Sequence, residues 1–411
     1  MRLYQVTYRF KRCRLWLRPL AVVLLFLLPL SVSSAQGQPV TEGVAALSDD
    51  LDRESLRIAI HRSLSYLEKL PPERIVGEQP RPFTAKEVLD VLREFERLLN
   101  RWDCEECWKK EFAARFELIP SSRHPERNQV LFTGYYQPVI EASLVPTAEF
   151  AHPIYRMPAD LITAEQVTLT PKVTKERIVG RVQGESWLPY YSRREIDEQH
   201  SLRGRGYEIA WAKDPIDLFF LHIQGSGLLQ LPDGRRLPIG YAGANGRPYR
   251  SVGRWLIDRG KIPAEEMSMQ RLRLYLTKYP DERSEIFAYN ERYIFFRFVP
   301  KGPLGNLEFP VTPNRSIATD ARLFPKGALA FITTRRPVFD AARQMVGWQP
   351  FSRFVLNQDT GAAIRGLQRV DLYFGTGSEA EAPAGYMNSP GKLYFLALKQ
   401  PSGSPPSPAG R

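Results

Sequence analysis

Asp359-Thr-Gly-Ala-Ala-Ile-Arg-Gly366, followed closely by Val370-Asp371-Leu-Tyr-Phe-Gly375, sets two acids on either side of a glycine-broken turn within β-rich sequence. A carboxylate held where strands and tight turns converge is partly desolvated, and a second carboxylate nearby crowds it. Both effects raise its pKa toward proton donation near neutral pH. Asp359, standing before a glycine-rich run, also reads as a turn former that bonds its own backbone. Asp371 lies inside an apolar strand, where that alternative is weaker.

Around this stretch, short apolar runs alternate with turns at residues 328–332, 354–356, 370–374 and 392–398. Regular spacing with Gly and Pro punctuation predicts a sandwich or barrel. Another β-rich stretch covers 130–140, and Gly134 inside it marks a bulge or a close backbone approach, hence a groove wall. Residues 217–224 read as a buried strand ending in Gly225-Ser-Gly227; a Pro232-Asp-Gly234 turn and an apolar run at 237–242 follow. Helices are expected over 251–258 and 268–279, then a strand over 293–298. Toward the N-terminus the period is helical. Leu56, Ile60, Leu64 and Leu67 share a face, and Thr84 with Glu87 reads as a capping box ahead of Val88, Leu92, Phe95 and Leu99. The expected class is mainly β with an α-helical N-terminal region, and the length calls for two domains.

Six cations, Arg2, Arg9, Lys11, Arg12, Arg14 and Arg18, precede an apolar run over 19–32, and Ser33-Ser-Ala35 offers small residues for cleavage. That is the anatomy of a secretory signal over residues 1–35. The run is short against the ~20 residues a bilayer span needs, so removal is expected, an uncleaved anchor being the alternative. Loss of those six charges lowers the formal charge from +12 to +6. Such a modest basic balance favours an anionic polymer or surface without specifying chemistry. Export, with no basic helix or nucleic-acid motif, excludes nucleic acid. Cys104 and Cys107 form a C-x-x-C pair, and the five histidines are scattered, so a zinc site lacks ligands. A local disulfide or two helical thiols are the readings left; thioredoxin-like chemistry is disfavoured without a βαβ pattern. Residues 400–411 are rich in Pro, Ser and Gly, a disordered tail by composition.

Ser226 lacks nucleophile-elbow spacing, and no dinucleotide fingerprint, P-loop, H-E-x-x-H or EF-hand spacing occurs. What remains is a site needing neither metal nor cofactor, built from carboxylates, amides and aromatics. Such a surface suits carbohydrate, because flat rings stack on sugar faces while amides and hydroxyls bond sugar hydroxyls and acetamides. Tyr135, Tyr136, Trp187, Tyr190, Tyr191 and Tyr241 are the candidates for stacking.

Thr319-Asp320 with Pro325-Lys-Gly327, together with the two acid-bearing segments quoted above, resembles a three-aspartate domain. Thr133-Gly-Tyr-Tyr-Gln-Pro138, Tyr191-Ser-Arg-Arg-Glu-Ile196 and Phe220-Leu-His-Ile-Gln-Gly-Ser-Gly227 resemble the rest of the membrane-bound lytic murein transglycosylase A family. The resemblance spans residues 129–398. It implies a double-psi β-barrel domain made from residues 126–140 and 299–399, interrupted by a second, smaller β-barrel domain over 141–298. A groove between them would take a glycan strand, and 36–125 would be the helical N-terminal region. The implied reaction cuts the β-1,4 bond between N-acetylmuramic acid and N-acetylglucosamine in peptidoglycan without water, leaving a 1,6-anhydromuramoyl end.

By motif position, the family's catalytic acid/base falls on Asp371. Asp320 and Asp359 fall on the other two aspartates, which shape or polarise the site. Thr133, Tyr136, Gln224, Ser226, Gly227 and Tyr241 are the implied glycan contacts, and backbone amides near Gly375 and Gly377 would steady charge on the sugar. One principal acid suffices because the sugar's own 6-hydroxyl attacks C1: a tethered nucleophile replaces the second carboxylate of ordinary glycosidases. To donate at neutral pH, Asp371 would titrate well above the usual value of about 3.9. Peptidoglycan strands are the expected partner, joined by other cell-wall enzymes, in the periplasm or cell envelope with outer-membrane association. Two departures stand out. Ser33-Ser-Ala-Gln36 occupies the place of the family's lipid-attachment cysteine, so any membrane hold would come from an uncleaved signal. After Asp359 the second glycine is replaced by Ala362, and the interval to Asp371 reads one residue longer. The rival functions are a non-catalytic glycan-binding or scaffold protein and a water-using glycoside hydrolase on the same barrel.

Overall fold

Helix α1 (Arg53–Leu67) starts where the Asp52 carboxylate accepts from the Ser55 amide at 2.7 Å. Helix α2 (Ala85–Leu98) starts at Thr84, whose hydroxyl accepts from the Glu87 amide at 3.1 Å. The expected capping box is half-made, because the Glu87 carboxylate pairs with Arg81. Helix α3 (Glu105–Arg115) opens on Cys104, joined to Cys107 by a disulfide, the first of the two readings of that pair. The computed structural model describes residues 47–124, 128–168 and 174–399; the expected signal at 1–35 and tail at 400–411 lie outside them.

Strands β1 (Phe116–Pro120) and β2 (Val130–Gln137) open a sheet that the chain then leaves. Across residues 139–298 it builds β3 (Val139–Ser143), β4 (His152–Tyr155), β5 (Glu208–Ala212), α4 (Pro215–Gln224), β6 (Gly227–Gln230), β7 (Arg236–Ala244), α5 (Val252–Asp258), α6 (Met269–Lys278), α7 (Arg283–Tyr289) and β8 (Ile294–Phe298). It returns with β9 (Ser316–Ala318), β10 (Leu329–Phe339), β11 (Met345–Asp359), β12 (Arg369–Thr376), α8 (Ser378–Tyr386) and β13 (Asn388–Leu398).

The first sheet runs in the order β10, β11, β9, β12, β2, β13; because β13 also pairs with β10, it closes into a six-stranded barrel with β1 added on the outer side of β13. Two of its pairings, β9 with β11 and β12 with β2, are parallel. Closure removes the exposed edges that would otherwise invite aggregation. The inserted strands run in the order β8, β7, β6, β3, β5, β4, with β4 lying against β8, and enclose a second, smaller barrel core around Ile140, Ile154, Leu229 and Phe296. A three-stranded sheet (Ile162–Thr168, Thr174–Gln183, Ser186–Pro189) belongs to the same insertion. The apolar faces of α1 and α2, through Leu56, Ile60, Val88, Leu92 and Phe95, share one core with the large barrel's Phe354 and Leu356. The mainly β class, the N-terminal helices and the two barrels are as the sequence predicts.

Residues 217–224 are helical, not the expected strand. Asp214 caps α4, accepting from the Ile216 amide at 2.7 Å; Pro215 stands in its first turn, and Gly225 at φ +82° ends it. The helix is buried on several sides. Leu218 and Leu221 enter the small barrel's core, while Ile216, Phe219 and Phe220 pack with α5, α6 and α7. A helix apolar all round loses its amphipathic period and imitates the continuous run of a buried strand. Asp-Pro at the start and Gly at the stop are the signals that distinguish it.

Candidate active site

Strand register brings the three acids together. On β9, Ala318 pairs with Asp359 at the end of parallel β11 and with Asp371 on antiparallel β12, and Asp320 follows two residues later. Strand β12 runs parallel to β2, which sets Asp371 beside Thr133. All three acids line a cleft of about 600 Å³ to which both barrels contribute: Gln224, Ser226, Tyr241 and Arg292 from the insertion, Tyr135, Arg369 and residues 359–365 from the large barrel.

Asp371 is only 14% exposed at its side chain. Its Oδ1 accepts from the Thr133 hydroxyl and from Arg369 Nε at 3.3 Å. Its Oδ2 has no partner among the described residues. Asp359 is engaged on both oxygens. Oδ2 accepts from the Tyr135 hydroxyl at 2.7 Å, and Oδ1 from the amides of Asn306 at 3.1 Å and Thr360 at 2.8 Å. Burial outweighs those three donors and, helped by the charge of Asp371, pushes the Asp359 pKa up to about 6. Both readings of Asp359 therefore hold, since it bonds its own turn through Thr360 and is also a raised acid. Burial and the Asp359 charge in turn push the Tyr135 hydroxyl well above its usual range.

Asp320 does different work. Fully buried, it takes Arg322 Nε at 2.9 Å, the Arg322 terminal nitrogen at 2.6 Å and the Gly366 amide at 2.9 Å. The Arg322 guanidinium foremost, then the amides, hold its pKa down to about 2. Gly366 sits at φ +78°, a left-handed conformation that disfavours side chains. Asp320 thus fastens the far end of the 359–366 loop to the tip of β9, which fixes where Asp359 points.

The remaining expected contacts divide. Thr133 fastens Asp371, Ser226 lines the cleft, and Tyr241 lines it with 49% of its surface exposed, suited to stacking. Gln224 lines the cleft while its Oε1 accepts from the Tyr136 amide at 3.1 Å, tying the end of α4 to β2. Tyr136 itself is buried against Ala380 and Ala384 of α8, outside the cleft lining. Gly227 is outside it too; a Cβ there would meet Leu221 Cδ1 at 2.5 Å, so close packing accounts for it. The Gly377 amide donates to the Gln137 carbonyl at 2.9 Å and is not free for a sugar. Among the stacking candidates, Tyr190 is fully buried and bonds Asp160 at 2.8 Å.

Sequence reasoning missed Arg369, Tyr249 and Arg292, all in the cleft lining. Arg369 had a signal, since residues two apart on a strand share a face. His222 also lines the cleft, its Nδ1 accepting from the Ile294 amide at 3.2 Å; burial drives its pKa well below the usual range, so the ring is neutral.

The raised Asp359 pKa has a stability consequence. A carboxylate that holds its proton more tightly folded than unfolded makes the folded state lose stability as pH rises from about 4 to about 6, and not above. A rise of about two units is worth at most about 3 kcal/mol. Asp359→Asn is expected to flatten that part of the profile, gaining on the parent chain as pH rises. Urea midpoints at pH 4.5, 5.5 and 7 measure it, and parallel profiles for the two chains would refute it.

Residues 131–297 match the family described as MltA specific insert domain, and residues 315–397 that described as 3D domain. Membrane-bound lytic murein transglycosylase A of Escherichia coli (strain K12) is 33% identical over 278 residues, 67% of this chain and 67% of that protein. Its Vibrio cholerae counterpart is 31% identical over 278 residues, with the same shares. Among solved structures, the membrane-bound lytic murein transglycosylase from Agrobacterium tumefaciens superposes with a TM-score of 0.70 at 31% identity, covering 84% of this chain and 93% of that one. E. coli MltA with bound chitohexaose gives 0.62 at 26% identity, covering 86% and 92%. Two family matches in the order the motifs implied, identity above 30% over two thirds of a relative, and a shared fold agree: the chain belongs to the membrane-bound lytic murein transglycosylase A family.

Proposed function

We propose that Asp371 is the single general acid/base of a reaction that cuts the β-1,4 bond between N-acetylmuramic acid and N-acetylglucosamine without water. The activity class comes with the family: the chain is a lytic murein transglycosylase, a lyase acting on peptidoglycan. A glycan strand is its ligand, as chitohexaose is for the E. coli relative. The observation that carries the assignment to Asp371 is its half-engaged carboxylate. Thr133 and Arg369 fix one oxygen on a rigid strand, and the other has no partner among the described residues, whereas Asp359 and Asp320 have both oxygens taken.

In the reaction so assigned, Asp371 gives its proton to the bridging oxygen as the bond from that oxygen to C1 breaks. The 6-hydroxyl of the same muramoyl unit then closes on C1, and the Asp371 carboxylate takes up the hydroxyl proton. No water is consumed and the acid is regenerated. Tethering supplies what a second carboxylate supplies in ordinary glycosidases. Asp359, ionised above about pH 6, puts negative charge near the oxocarbenium-like centre. Tyr241 and Ser226 meet the sugars from the insertion. The envelope, with peptidoglycan as the working surface and other cell-wall enzymes as partners, is the setting of this reading; among the described residues no helix is long and apolar enough to cross a membrane.

Product analysis tests it. Intact sacculi treated with the purified chain are expected to release anhydromuramoyl ends and no new reducing muramic ends by mass spectrometry. Reducing ends, or heavy oxygen from labelled water at the new terminus, would establish hydrolysis instead, and no release would establish a binder.

A further inference from the structure

Among the described residues, five arginines line the cleft: Arg292, Arg297, Arg322, Arg365 and Arg369. Three have carboxylate partners. Arg297 pairs with Glu308, Arg322 with Asp320 and Arg369 with Asp371. Arg292 and Arg365 have none among the described residues. Arg292, just ahead of β8 in the small barrel, has its Nε buried without a hydrogen-bond partner among the described residues. Arg365 belongs to the 359–366 loop of the large barrel and is exposed. The two are close enough for the charge of Arg365, after burial, to depress the Arg292 pKa. Two like charges from opposite barrels thus face one cleft, one with a desolvated, unused donor. A buried unpaired donor is costly, and nothing in the catalytic step calls for either arginine.

We propose that Arg292 and Arg365 form a carboxylate-binding subsite that reads the acidic group carried by every second sugar of the glycan. This rests on the peptidoglycan reading and sharpens it. A planar guanidinium matches a carboxylate with two parallel hydrogen bonds, and a strand lying between the barrels can present a carboxylate to both arginines at once. Two sources supply that group. In a strand without peptides it is the lactyl carboxylate of the muramoyl unit; in a peptide-bearing strand that carboxyl is an amide, and the acids lie on the stem. A neutral strand of N-acetylglucosamine alone offers neither.

The test is equilibrium binding to the full chain carrying Asp371→Asn, so that ligands persist, with four probes. They are chitohexaose, an alternating muramoyl hexasaccharide with free lactyl carboxylates, the same sugar with those groups as neutral amides, and the same sugar bearing an acidic dipeptide stem. Free lactyl carboxylates are expected to bind about ten-fold tighter than the neutral amide, the scale of a charged hydrogen-bonded pair. Arg292→Gln and Arg365→Gln are expected to bring that ratio close to one. Arg365 is exposed, so its variant reports even where Arg292→Gln fails to fold. A preference shown only by the stem-bearing sugar, and lost in these variants, supports the subsite with the stem as its source. Equal binding of all probes, or a preference that survives both substitutions, overturns it. Cleavage of any muramoyl probe by the Asp371→Asn chain would unseat Asp371 instead and leave the subsite standing.

Discussion

Asp371→Asn is expected to lower anhydromuramoyl release from sacculi by about 10³-fold, within the range that general acid-base groups contribute. The expected loss is large because, in the proposed mechanism, one side chain serves both proton transfers. The geometry also says why shape should survive. The Thr133 hydroxyl and Arg369 both donate to Oδ1, so an asparagine keeps its carbonyl oxygen there and turns its amide nitrogen toward the cleft, where Oδ2 now stands. That nitrogen can bond a sugar oxygen but has no proton to give up. Chitohexaose affinity is therefore expected to stay within a few-fold of the parent chain, and the unfolding free energy from urea titration to change by about 1 kcal/mol or less, a typical hydrogen-bond contribution. Release at the parent rate would remove Asp371 from the mechanism. A larger loss in Asp359→Asn than in Asp371→Asn would exchange the roles of the two acids, with Asp359, its pKa raised to about 6, as the proton donor.

That last contrast shows where the sequence was legible and where it was not. The acids themselves stand out because each lies in a local pattern: a glycine-broken turn after Asp359 and an apolar alternation around Asp371. The strands of the large barrel stand out for the same reason. Local pattern does not encode register. The bonds from Tyr135 to Asp359 and from Thr133 to Asp371 join residues 224 and 238 positions apart, so which groups hold each acid depends on strand pairing. Burial, with the Asp371 charge as a lesser contribution, raises the Asp359 pKa to about 6. Helix α8 was missed because Gly377 precedes it and Pro383 lies inside it, two residues that normally argue against a helix. Residues 217–224 were misread for the opposite reason, an excess of apolar signal. Arg292 and Arg365 gave almost no signal, since Arg292 reaches the site from the other barrel and single cations on a basic chain carry no pattern.

The N-terminal segment had no role legible in the sequence, and its role emerges from the expected cost of Arg315→Ala, about 3–5 kcal/mol, the scale for breaking a buried ion pair. Arg315 immediately precedes β9. Its side chain is wholly buried, as is that of Asp49, which it meets at 2.6 Å. The guanidinium also donates to the Phe354 and Asp52 carbonyls at 2.8 Å each and to the Ser55 hydroxyl at 3.0 Å. Truncation leaves Asp49 charged and buried and strands three further acceptors, with a cavity besides. On β11, Gln358 donates to the Ala59 carbonyl at 2.7 Å and accepts from Ser316 at 2.6 Å, so α1 grips β9 and β11. Those are the strands whose register sets Asp359 and Asp371 on either side of Ala318. Arg315→Ala should therefore lose activity at temperatures where it remains folded, besides losing urea stability. Removing both charges, with Arg315→Met and Asp49→Leu together, is expected to cost less than Arg315→Ala alone, because no orphaned ion is left in the core. A loss below about 1 kcal/mol for Arg315→Ala, the level of an exposed pair, would mean that the helical region merely covers the barrel and does not hold β9 and β11 in place.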